Sequence, residues 1–216
     1  MGAATRPTFE ERSESVFGWV NDHWRQLLGG AAVLAALAGG VALWDRSQGM
    51  KSERGERALL EAQRSVQSGN LPLAQSDLQR VVDRFGGTPA EARARIVLAQ
   101  VLYDQGKFGD GIAKVEPATH SKTEGAPAEA LVATGYEEQG KFKEAAEHYA
   151  RAATLAAFDV DRATYRASAA RAYAQAGNAG AAKQIWSELA QDEESPLAAE
   201  ARVRLGELSA TTENKS

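Results

Sequence analysis

The sequence predicts an all-α chain in which a single membrane-crossing helix precedes a solenoid of antiparallel helix hairpins. Three observations predict it. Residues 26–44 (QLLGGAAVLAALAGGVALW) carry no charge in a chain that is 25% charged. The segment from Leu98 to Phe108 recurs 34 residues later as Val132 to Phe142, and a fixed period of that size marks repeat architectures. Alanine is abundant, β-branched residues are few and proline falls at segment edges, a balance that favours helix almost everywhere.

Residues 1–25 form a tail with its own organisation. Thr8-x-x-Glu11 has the form of a capping box, and Phe9, Val16, Val20 and Trp24 recur near helical spacing, so an amphipathic helix leads into the uncharged run. That run, residues 26–44, would span roughly 28 Å as a helix, close to a hydrocarbon core of about 30 Å. Trp19, Trp24 and Trp44 flank it where interfacial aromatics belong, and Gly29, Gly30, Gly39 and Gly40 suit a membrane helix. A second reading is a cleaved signal peptide, because Ala36-Leu37-Ala38 has the small-x-small form of a peptidase site. Against it stand the long polar lead with Glu10, Glu11, Glu14 and Asp22 and the continuation of the run to Trp44. A third reading, an apolar helix enclosed by protein, asks too much covering surface of the remaining chain. Orientation stays open on charge alone, since Arg6, Arg12, Arg25 and the terminal amine are matched by Arg46, Lys51, Arg54 and Arg57.

Residues 45–54 read as a linker and 55–209 as the repeat domain. Turn glycines fall at Gly69, Gly106, Gly140 and Gly177, at spacings of 37, 34 and 37. Each would end one helix in a left-handed cap and let the chain reverse into a second helix packed on the first. In the third unit, Ala133, Ala145 and Ala152 allow close backbone approach while Tyr136 and Tyr149 fill the space between hairpins; Ala170, Tyr173, Ala182 and Trp186 repeat the scheme in the fourth. Unit one keeps only Ala62, Gly69, Ala74 and Leu78. The stretch 195–209, with Pro196 at its start and Leu197, Ala201 and Leu205 spaced by four, reads as a capping helix, and 210–216 as a disordered tail.

Composition narrows the chemistry. With 25 Lys and Arg against 29 Asp and Glu, and no basic stripe, nucleic acid is not an expected partner. The chain has no Cys, which removes disulfides, thiol catalysis and the lipidated cysteine of a bacterial lipoprotein. His23, His120 and His148 lack a second ligand at metal-binding spacing. Gly-rich phosphate loops and nucleophile elbows are missing, Gly86-Gly87 reads as a turn before Thr88-Pro89, and clusters such as Glu137/Glu138 and Asp192-Glu193-Glu194 read as solvated helix surface. The expectation is a protein without enzymatic activity, cofactor, metal or small-molecule substrate.

A repeat solenoid curls so that the first helices of its units line a concave face suited to peptides or partner helices. Alignment on the turn glycines gives that face Arg93, Ile96, Gln100 and Tyr103 from unit two, Ala130, Thr134 and Glu137 from unit three, and Thr164, Ala167 and Arg171 from unit four.

The small-x-x-Tyr, Gly, Ala-aromatic-Ala pattern of these units resembles the tetratricopeptide repeat over roughly residues 55–208. Departures are Leu102 for Tyr and Gly111 for Ala in unit two, and Ala157 for the closing Pro in unit three. The whole layout, including the late run from Ala170 to Trp186 and Ser195-Pro196-Leu197-Ala198, is similar to the ancillary subunit of the bacterial Sec translocon. That resemblance implies an uncleaved inner-membrane helix with the tail, residues 1–25, in the cytoplasm. It implies a repeat domain in the periplasm that associates with translocon subunits, periplasmic chaperones or exported clients. Two rivals are an envelope-assembly scaffold, in soluble form if Ala38 is cleaved, and a regulatory repeat domain facing the cytoplasm.

Overall fold

In a computed structural model of the chain, the described backbone covers residues 9–213, and the described side chains are those of 23–26, 29, 30, 37–41 and 43–210. The chain divides into two units, Met1–Met50 and Lys51–Ser216. Helix α1 (Phe9–Gln67) carries the backbone of the uncharged run. Among the described residues, no helix is long and apolar enough to cross a membrane. The expected crossing at 26–44 lies partly outside those residues, at 27, 28, 31–36 and 42, as do Thr8 and the side chains of Phe9, Val16, Trp19 and Val20. Residues 45–54, expected as a linker, are helical. No proline interrupts them, and two helix-forming stretches flank them.

The second unit is a succession of helix hairpins, and the reversals at Gly106, Gly140 and Gly177 are built the same way. The end of α1 packs through Leu59 and Ala62 on Leu78 and Val81 of α2 (Leu71–Arg84), α3 (Pro89–Asp104) on α4 (Phe108–Val115), α5 (Gly125–Glu138) on α6 (Phe142–Leu155), and α7 (Asp159–Gln175) on α8 (Ala179–Gln191). All four turn glycines have positive φ, between 70° and 78°. After α5 the Gly140 and Lys141 amides donate to the carbonyls of Glu137 and Tyr136 at 2.8 and 2.9 Å. Gly106 and Lys107, and Gly177 and Asn178, repeat this six-to-one and five-to-two pairing, which satisfies carbonyls that the helix end would orphan. Unit one, weak in sequence, is a full hairpin: Gly69 caps it, Asn70 Oδ1 accepts from the Leu73 amide, and Ala62, Ala74 and Leu78 are buried. Helix α4 is short because Pro117 follows it and opens a 3-10 turn, Glu116–His120.

Alanines at 0% exposure, among them Ala74, Ala94, Ala133 and Ala145, carry helices close together, and Leu78, Leu98, Trp186 and Leu189 fill the remaining volume. Helix α9 (Ala198–Glu213) covers α7 and α8 through Ala201 and Leu205. It runs past its expected end at 209, because Ala210 to Glu213 hold no Gly or Pro to stop it. Residues 214–216 lie outside the described set.

Candidate functional site

The predicted face is built on the first helices of the hairpins, where residues three, four and seven apart share one side. The structure gives its members different occupations. Gln100 and Thr164 are exposed, with the Thr164 hydroxyl donating to the Val160 carbonyl of its own helix. Ile96 is half-buried against the core shared by α3, α4 and α5. Ala130 packs beside the core between units three and four, and Ala167 is fully buried beneath α8 and α9.

The polar members of unit three are joined. Tyr149, arriving from α6, donates its hydroxyl to Glu137 at 2.8 Å and lies 3.2 Å from the Thr134 hydroxyl, which itself donates to the Ala130 carbonyl. Burial pushes the Tyr149 phenol up to about 12, opposed by the Thr134 hydrogen bond and reinforced by the nearby Glu137 carboxylate. Two residue types that sequence separates into core (Tyr149) and surface (Glu137) thus form one patch.

The two arginines tie first helices together. Arg93 on α3 pairs with Glu56 on α1 and lies 3.6 Å from Glu124 at the start of α5. Arg171 on α7 binds Glu200 on α9 at 2.7 Å and sits 5.7 Å over the Trp186 ring. Hydrogen bonding from Arg171 holds the Glu200 carboxyl below the usual carboxylate range. Both arginine side chains stay partly exposed.

Tyr103 is committed to packing. Its hydroxyl donates to the Leu131 carbonyl at 3.0 Å, its ring tilts against Phe108 at 5.7 Å, and burial raises the phenol well above its ordinary range. A Cβ on Gly111 or Gly135 would overlap that ring. The departure of Gly111 from the repeat pattern is therefore the counterpart of Tyr103, one residue beyond the Leu102 that replaces the usual tyrosine.

One constellation escapes sequence reasoning. Glu129, 7% exposed, accepts from His148 Nδ1 at 2.6 Å and from Arg151 at 3.3 Å, and Tyr136 stacks on the imidazole at 5.2 Å. The signal was available: Glu129 precedes the buried Ala133 by one helical turn, so it lies on the buried stripe. A buried carboxylate persists only when donors compensate its desolvation, and two do. Among the described residues, no group of His, Asp and Glu could hold a metal ion.

Grooves also mark the surface of the repeat domain. One of about 520 Å³ opens between α6, α7 and α8 over Ala150, Ala169 and Ile185, rimmed by Arg162, Arg166 and Glu188. Another, of about 370 Å³, runs between Arg171 and Arg204 over Trp186.

Residues 54–166 match the model of the tetratricopeptide repeat-like domain. Solved structures of the same fold include the nearly identical TPR-like repeats of a putative kinesin light chain from Podosopora anserina. It is 17% identical with a TM-score of 0.58, over 76% of this chain and 89% of that one. A tetratricopeptide repeat protein from Parabacteroides merdae is 18% identical with a TM-score of 0.58, over 74% of this chain and 61% of that one. No curated protein matches the sequence.

Proposed function

Because the chain belongs to the tetratricopeptide repeat-like domain family, matched over more than half its length, we propose that it is a membrane-anchored scaffold that binds polypeptide segments beside the Sec translocon. Tetratricopeptide repeat-like domains are generally protein-interaction scaffolds without catalytic chemistry. The finer reading adds that residues 26–44 cross the inner membrane once with residues 1–25 in the cytoplasm. The repeat domain then works in the periplasm with translocon subunits, chaperones or exported clients.

The observation that carries the interaction role is the Thr134–Tyr149–Glu137 patch on α5 and α6, together with exposed Gln100 on α3 and the partly exposed, ion-paired Arg93 and Arg171. It offers donors and acceptors of both signs on rigid helices next to half-buried Ile96. That mixture suits extended or helical peptides of varied sequence better than one small molecule. The uncharged run and its tryptophans support the anchor, and the translocon rests on the layout of the sequence.

The test is affinity capture of the full chain from mild detergent, with reporters fused after Ser216 to read the side of the membrane. Recovery of translocon subunits, with a reporter active only outside the cytoplasm, supports the reading. A reporter active only in the cytoplasm removes it and leaves the regulatory domain. Extraction of the chain by alkaline carbonate removes the anchor.

A further inference from the structure

The side of α7 turned away from the predicted face carries a second surface. On that helix Arg162, Arg166, Ala169 and Tyr173 follow one another at steps of four, three and four residues and so form one stripe. Thr164 and Arg171, members of the predicted face, stand about half a turn round the helix from it. The stripe is the floor of the groove of about 520 Å³ whose walls are α6 and α8. Both wall helices pack on α7. The residues they present to the gap, Ala150 and Ala153 on one side and Ala181 on the other, are too short to close it. Between the second helices of units one and two, by contrast, Lys114 on α4 reaches across and donates to the Gln79 side chain on α2 at 2.8 Å.

The groove is graded along its length. At one end half-buried Tyr173 and Ile185 offer aromatic and branched aliphatic surface. At the other, Arg162 and Arg166 lie one turn apart. Arg162 donates to Asp159 and to the Ala156 carbonyl, and Arg166 donates to Glu188. A guanidinium carries five N–H groups, so both arginines keep donors without a partner among the described residues. Asp159 and Glu188 are themselves exposed, and exposed pairs hold weakly, while two like charges one turn apart repel each other. That end of the groove therefore accepts a further carboxylate.

A channel with helices for walls, alanines facing it and donors gathered at one end suits a helix, which satisfies its own backbone and can approach closely over small residues. An extended strand would leave its N–H and C=O groups against alanine. We propose that this groove docks an amphipathic helix of a partner protein, apolar along one stripe and acidic in the turn that meets Arg162 and Arg166. The site is separate from the peptide-binding face proposed above, because the two use opposite sides of α7, and it does not depend on the membrane anchor.

The test uses the full chain in mild detergent, with detergent alone as the blank, and three dye-labelled synthetic peptides. The first is a helix with leucines stepped by four and three residues and two glutamates in its last turn. The second has glutamines for the glutamates, and the third is the first broken by a central proline. Fluorescence anisotropy should show the glutamate helix bound, the glutamine helix bound about tenfold more weakly, and the broken peptide free. Arg162→Gln with Arg166→Gln should abolish the preference for glutamate. Ala150→Phe, which fills the groove from its wall, should abolish binding of both helices, with the melting curve of each variant showing that the domain is folded. Gln100→Ala with Thr164→Ala should change nothing. Equal binding of the glutamate and glutamine helices, or binding of neither, overturns the inference. So does equal binding of the broken peptide, which would make the occupant an extended segment. Loss of the helix on changing Gln100 and Thr164 while Ala150→Phe keeps it puts the contact on the other face, and the inference falls while the scaffold reading stands. Self-association of the native chain that Ala150→Phe abolishes also overturns it, because the groove then holds a second copy.

Discussion

The phenol of Tyr103 occupies the space that a side chain on Gly135 would need, so α3 and α5 approach across it only because residue 135 has no Cβ. Gly111 makes room on the other side of the same ring. Unit two thus places its aromatic one residue later than unit three, and two glycines accommodate the change.

Gly135→Ala is expected to destabilise the domain although alanine favours helix by up to about 1 kcal/mol. The new methyl would overlap the Tyr103 hydroxyl and Ile112 together, and overpacking of that kind costs about 1 to 3 kcal/mol. Thermal unfolding should show a lower midpoint, partly restored by adding Tyr103→Leu. A midpoint that rises with Gly135→Ala alone would contradict the wedge.

Trp186→Ala should be the costlier change. The indole is 1% exposed between α7, α8 and α9, and such truncations cost about 3 to 5 kcal/mol. Loss of its packing also removes the surface under Arg171. An unchanged melting curve would place the α8–α9 contact elsewhere.

Alkali should expose the Tyr149 contact. Its phenol titrates at about 12 in the folded chain against 10.0 ordinarily, chiefly through burial. Folded and unfolded phenols are both neutral below pH 10, where the stabilisation is fully present. As pH rises from 10 towards 12 the unfolded phenol ionises first, so the folded state loses its advantage. The melting temperature of the native chain should fall through this window more steeply than that of Tyr149→Phe. Parallel curves would mean that the Tyr149 phenol is not buried in the folded chain.

Binding should separate from stability at the exposed positions. Gln100→Ala with Thr164→Ala removes only surface groups, and such changes seldom move stability by more than about 0.5 kcal/mol. Melting should hold while capture of polypeptide partners falls, as read by surface binding or co-purification. Arg93→Ala, by contrast, should lower both, because it severs the link to Glu56 and Glu124; the loss of stability stays near or below about 1 kcal/mol for so exposed a pair. Full capture by the double variant would move the contacts off this face.

The sequence by itself determined the hairpins. A glycine needed at positive φ declares itself at Gly69, Gly106, Gly140 and Gly177, and a small-residue stripe such as Ala133, Ala145 and Ala152 declares which sides meet, because both signals are written within one or two helical turns. It also supplied the expectation that Gln100, Thr134, Glu137 and Thr164 share one face. Only the tertiary structure decided which of those residues are spent. Arg93 finds Glu56 37 residues away, Arg171 finds Glu200 29 residues away, Tyr149 joins Glu137 across a turn, and Tyr103 fills the gap left by Gly111 and Gly135. The exposed group at Leu155, Phe158 and Val160 was equally a matter of what remains uncovered once the hairpins stack. The physical reason is range. Backbone conformation and helical period are set by near neighbours, whereas the partner of a long polar or aromatic side chain depends on the offset between stacked helices, which no single repeat contains.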